Sequence, residues 1–103
     1  MAGRRLVSGV VFDLRYRASG ASEVARLGLI IPKRLARSAS LRNAIKRQCR
    51  EAFRLMAIDI PPCDLVLRLT RPLEGVKARD GVQRKAWRAD VEDLLTRLPI
   101  LPR

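Results

Sequence analysis

The chain has 103 residues, 48% of them apolar, and carries 22 Lys and Arg against 10 Asp and Glu, for a net charge of +12. That length suits one domain, taken as residues 1–103, with one modest core, and the apolar share excludes a disordered tail. The charge calls for a polyanion (RNA, DNA or an anionic membrane), while the absence of His removes the commonest general base and metal ligand.

In chain order, residues 1–5 are too short for an element of their own. From Leu6 to Arg17 the pattern is that of one strand: Phe12, Leu14 and Tyr16 alternate with Asp13, Arg15 and Arg17, the period of two of a half-buried strand. Ala18 to Ser22 reads as a turn. Arg26 to Ile31 is a second strand, apolar without clean alternation, closed by Pro32. Lys33 to Ser40 is a basic loop of small residues. A helix is predicted from Leu41 to Ala57, with Pro61-Pro62 beyond it. Asp64 to Arg71 is a third strand, and Cys63 before it falls in a turn. Pro72 to Arg79 is a loop. Asp80 caps a last helix, with Gln83 as capping-box partner and an apolar stripe of Trp87, Val91, Leu94, Leu95 and Leu98 ending at Pro99.

The order strand, strand, helix, strand, helix defines an α/β (α+β) sandwich, a small sheet with helices packed on it. The long second connection allows a βαβ crossover between parallel strands. Cys49 and Cys63 lack metal-ligand spacing, and two lone cysteines in a chain without a signal peptide suggest a reducing cytoplasm. No apolar run approaches the roughly 20 residues that span a membrane.

The first helix carries the charge. At about 100° per residue, Leu41, Ile45, Cys49, Ala52, Phe53 and Met56 fall within roughly 120°, and Asn43, Lys46, Arg47, Arg50 and Arg54 fall nearly opposite, with Arg42 on the flank. A solvated face ordinarily mixes signs. Here the single acid before Asp59 is Glu51, in reach of Arg47 or Arg54, and Lys46/Arg50 and Arg50/Arg54 repel at four-residue spacing. Such a face is costly bare and favourable against phosphates. Lys33, Arg34 and Arg37 precede it at the positive end of the helix dipole, so loop and helix form one anion-binding surface. Of the 22 cations only Lys33, Lys46, Lys77 and Lys85 are lysine, and the arginine fork suits phosphate and base stacking.

The run Arg26-Leu27-Gly28-Leu29-Ile30-Ile31-Pro32-Lys33-Arg34, followed by Ala39-Ser40-Leu41-Arg42-Asn43, Lys46-Arg47, Arg50-Glu51 and Phe53-Arg54, resembles the signature of the ribonuclease P protein family at every spacing. The likeness is strongest over 26–54 and extends over roughly 6–98. It implies an α/β sandwich with a left-handed βαβ crossover, against the usual hand. It also implies the protein subunit of a ribonucleoprotein endoribonuclease, with hydrolysis by the RNA and its magnesium and no catalytic or metal-binding side chain on the protein. The implied partners are the catalytic RNA and precursor tRNA, without membrane or DNA. By position, Arg42, Asn43, Lys46, Arg47, Arg50 and Arg54 would contact the catalytic RNA, with Lys33, Arg34 and Arg37 beside them.

The 5′ leader of precursor tRNA is expected in a cleft across the sheet, where Phe12 and Tyr16 are candidates for base stacking; both can equally be core, and for Phe12 the core is preferred because apolar alternation alone explains it. The chain departs from the family pattern twice. It begins almost at the first strand, where the family carries a helix whose aromatic residues line one wall of the cleft, and Ala44 stands where a third polar or basic residue is common.

Other classes fit less well. A structural or ribosomal RNA-binding protein shares the charge but does not require this motif. A helix-turn-helix needs two adjacent short helices, a membrane-surface helix needs large apolar residues on its exposed face, and Asp13, Asp59 and Asp64 are too scattered for a nuclease metal pair.

Overall fold

The computed structural model describes residues 5–18 and 24–98. Strands β1 (Arg5–Ser8), β2 (Phe12–Ala18) and β3 (Arg26–Ile30) precede helix α1 (Ala39–Met56). A short 3-10 turn (Ala57–Asp59), strand β4 (Cys63–Leu69) and helix α2 (Gly81–Thr96) follow. The sheet order is β1-β2-β4-β3, with β1/β2 and β2/β4 antiparallel and β3/β4 parallel. The expected βαβ unit is therefore β3-α1-β4, where the helix carries the chain back to the start of a parallel neighbour. The fold class expected from the sequence is the one observed, a sheet covered by two helices.

The single strand expected over Leu6–Arg17 is instead a hairpin. Gly9 N donates to Phe12 O at 2.8 Å, and the chain turns through Val10 and Val11. Two β-branched residues in the turn sustain a strand-like pattern, which hides it. The turn is held from outside: the amides of Val10, Val11 and Phe12 donate to the Asp90 carboxylate of α2 at 2.8, 2.9 and 3.1 Å. A Cβ on Gly9 would lie 2.4 Å from Asp90 Oδ1, so this close approach requires glycine. Arg97 adds a bond from Nη2 to Ser8 O at 2.7 Å. The third strand begins one residue earlier than expected, so Cys63 is a buried strand residue and not part of a turn. Residues 19–22 of the expected turn at Ala18–Ser22 lie outside the described residues.

Alternation sorts the sheet into two faces. Phe12, Leu14, Tyr16, Cys63, Leu65, Leu67 and Leu69 are buried against the helices. Leu41, Ile45, Cys49 and Ala52 of α1 and Trp87, Val91, Leu94 and Leu95 of α2 meet them. The indole Nε1 of Trp87 is buried without an acceptor among the described residues, an unmet donor of the kind that costs about 1–3 kcal/mol. Both helices start on side-chain caps: Ser38 Oγ accepts from Leu41 N at 3.0 Å, and Asp80 Oδ1 accepts from Gln83 N at 3.1 Å. Among the described residues no helix is long and apolar enough to cross a membrane.

Candidate nucleic-acid interface

With Leu41, Ile45, Cys49 and Ala52 fixed in the core, helical geometry drives the opposite residues of α1 outward. Asn43, Arg47, Arg50 and Arg54 are exposed and Lys46 is half-buried. Among the described residues the side chains of Lys46, Arg47 and Arg50 donate no hydrogen bond and reach no acid. Arg54 differs. It pairs with Glu51 through both Nε and Nη2, which holds the Glu51 carboxyl below its usual range and raises the guanidinium in turn. Of the two partners open to Glu51 in the sequence, the structure selects Arg54.

The loop before α1 is ordered by its own backbone. Pro32 O accepts from Leu35 N and Ala36 N at 3.0 and 3.1 Å, and Leu35 O accepts from Leu73 N at 2.8 Å. Leu35 and Ala36 are buried, which leaves Lys33, Arg34 and Arg37 exposed beside the helix start. Arg42 is half-buried. Its Nη1 donates to Ala36 O and Arg37 O at 2.9 and 2.7 Å, so this arginine stitches the loop to α1 with part of its fork already used. Ala44 packs against the core edge rather than standing clear in the basic row.

The structure adds cations that the sequence reading did not single out. The second helix lies beside α1, where Arg88 Nε donates to Gln48 Oε1 at 3.1 Å and Arg84 Nε donates to Ala78 O at 2.7 Å. Arg84 continues the line of the Trp87 stripe at the exposed start of α2, Arg88 flanks the stripe, and Lys85 lies further round. Their spacing was available in the sequence, but arginines at the edge of an apolar stripe on a capped helix look merely solvated.

The outer face of the sheet carries Asp13, Arg15, Arg17, Arg26, Ile30, Asp64, Val66 and Arg68 and has no helix over it among the described residues. Asp64 draws Arg17 and Arg26 to 3.6 and 3.1 Å. Phe12 and Tyr16 lie on the other face, 0% and 6% exposed. Stacking of a base on Phe12 is thereby corrected: its ring is core, as the alternation allowed. Tyr16 is buried on the same face opposite Leu65, so stacking of a base on its ring is corrected as well.

Among the described residues neither cysteine is a ready nucleophile. Burial pushes the Cys49 thiol up to about 12 and raises that of Cys63, so both are protonated at neutral pH. Among the described residues no three His, Cys, Asp or Glu side chains gather as metal ligands.

A mixed sheet covered on one side by two helices, with an unpaired cation row on the first, defines a basic α+β sandwich built to face a polyanion. The family model for ribonuclease P matches residues 1–98, and the chain belongs to the ribonuclease P protein family. It is 39% identical over 98 residues to the ribonuclease P protein component of an Azoarcus species, covering 95% of this chain and 76% of that protein. It is 49% identical over 73 residues to the component from Bordetella petrii, where the match covers 67% of this chain and 59% of the relative. The fold is similar to that of the RNase P protein of Staphylococcus aureus, with a TM-score of 0.78 at 22% identity over 96% of this chain and 84% of that one. It is also similar to that of Thermotoga maritima, with a TM-score of 0.72 at 26% identity over 92% and 84%.

Proposed function

We propose that this chain binds a catalytic ribonuclease P RNA through α1 and the loop before it, and so promotes 5′-end maturation of precursor tRNA. The observation that carries this reading is the row Asn43, Lys46, Arg47 and Arg50: it faces solvent on a helix whose other side is core, and among the described residues no acid neutralises it. Like charges four residues apart repel, and phosphates turn that repulsion into attraction. Lys33, Arg34 and Arg37 extend the row, and the Arg42 stitch fixes their loop before any ligand arrives.

The outer sheet face takes the single-stranded leader. There Arg15, Arg17, Arg26 and Arg68 surround Val66 and Ile30, which gives cations for the backbone and an apolar floor for bases. Hydrolysis in this reading is done by the RNA with its magnesium ions, and the protein binds and positions. A second reading, a structural RNA-binding protein without processing activity, shares the basic helix and lacks the leader function.

The two are separated by reconstitution with a bacterial ribonuclease P RNA and a precursor tRNA at low magnesium, where the RNA alone works poorly. Restored cleavage at the mature 5′ end is the expected result. Binding without cleavage leaves the structural reading, and no binding removes both.

A further inference from the structure

Between α1 and α2 a groove runs along the seam of the helix pair. Its first stretch is bordered by Arg34, Arg37, Lys77, Arg79 and Arg84. Its middle lies between Asn43 and Arg47 of α1 and Arg84 of α2, and its far end between Gln48 and Lys85, Arg88 and Glu92. Arg84 borders all three stretches. Glu74 and Glu92 are the acids on its walls, and neither forms an ion pair among the described residues. Gly75, at φ 73°, turns the loop that carries Lys77 and Arg79 beside Ser38 and the start of α1.

Two features say what lies in it. Arg84 and Arg88 are each tethered through Nε, to Ala78 O and Gln48 Oε1, and their Nη groups have no protein acceptor among the described residues. Each is a fork held in place with its amino ends free, the arrangement that grips phosphate with little loss of side-chain freedom. From Asn43 to Arg88, moreover, the walls hold no apolar side chain larger than alanine, so nothing there anchors a peptide by apolar burial.

We propose that α2 supplies the second wall of a phosphate-binding groove, with an RNA backbone lying along the α1–α2 seam between Arg47 on one side and Arg84, Lys85 and Arg88 on the other. This rests on the reading of α1 as the RNA-binding helix. From Gly81 to Glu92 the wall is about 16 Å long at 1.5 Å per residue.

The test is the salt dependence of affinity for a bacterial ribonuclease P RNA, measured for the full chain and three double variants. These are Arg84→Gln/Arg88→Gln in α2, Lys77→Gln/Lys85→Gln, counted with the second wall because Lys77 borders the groove just before α2, and Arg47→Gln/Arg50→Gln on the exposed row of α1. The side chains of Lys77 and Lys85 make no hydrogen bond to the described protein, so their pair reads the wall without disturbing a tether. Each pair is expected to make the slope of log K against log salt shallower by about 1.5–2. If both second-wall pairs leave the slope unchanged while the α1 pair lowers it, the second wall is wrong and α1 still binds RNA. Weaker binding at an unchanged slope also overturns the proposal, since it marks a structural effect. If no pair lowers the slope, the α1 reading fails first.

Discussion

Two surfaces of this molecule are rich in arginine, and they are in opposite electrostatic states. On the outer sheet face Asp64 sits between Arg17 and Arg26, with ion-pair distances of 3.6 and 3.1 Å, and β-pairing places all three residues in register. On the helix side Lys46, Arg47 and Arg50 stand in a row with no described acid in reach, and Glu51 is taken up by Arg54 at the end of the row. The sheet face is partly compensated within the protein. The helix face stays uncompensated until something anionic arrives. Counting arginines does not separate a partly neutralised surface from a bare one; the positions of the few acids do.

The comparison can be broken where the two surfaces are joined. Asp90 of α2 holds the β1–β2 hairpin through three backbone amides. Asp90→Ala leaves those donors unmet and is expected to cost roughly 3 kcal/mol or more in denaturant unfolding. If the surfaces act separately, the variant retains RNA binding at temperatures where it stays folded. Reversal of charge in the uncompensated row comes next. Arg47→Glu/Arg50→Glu should lower RNA affinity about a hundredfold at moderate salt while the melting temperature holds, since neither side chain has a described partner. A variant that melts early would make the row structural.

The core face of the same helix gives a pH signature. Burial raises Cys49 from 9.0 to about 12 in the folded chain. The unfolded thiol therefore loses its proton first, and its contribution to stability is fully present below pH 9 and lost as pH rises toward about 12. The slope is about 1.4 kcal/mol per pH unit in that window. Cys49→Ser should flatten the alkaline limb of the stability curve, and a thiol reagent should label Cys49 only on unfolding. Smallest of all, Asp64→Asn should cost under about 1 kcal/mol, because Arg17 and Arg26 are more than half exposed. That variant frees two arginines, and leader affinity should rise slightly, as read by binding of a single-stranded oligonucleotide.

What was legible in the sequence was local or periodic. The two faces of α1 follow from 3.6-residue spacing, the cap at Asp80 from residue type, and the parallel pair from a connection long enough to hold a helix; the Ser38 cap, which starts α1 at Ala39 and not Leu41, lies hidden in a run of small residues. What was hidden depended on distant contacts. Val10 and Val11 continue a strand pattern, and only Gly9 marks the turn; its reason is Asp90, about eighty residues away. Phe12 and Tyr16 were candidates for both core and surface, because alternation identifies a face without saying which one helices cover. Arg84 and Arg88 became a wall only when α2 lay beside α1, with Gln48 and the Ala78 carbonyl fixing their forks.

The central claim is that the uncompensated cations of α1 and its loop meet RNA phosphates. Its most direct test is the affinity of the intact chain for a bacterial ribonuclease P RNA across a salt series. About five contacts give a slope of −3 to −5 in log K against log salt. An affinity insensitive to salt would contradict the account, because a surface that binds without releasing counterions is not the one described by Lys46, Arg47 and Arg50.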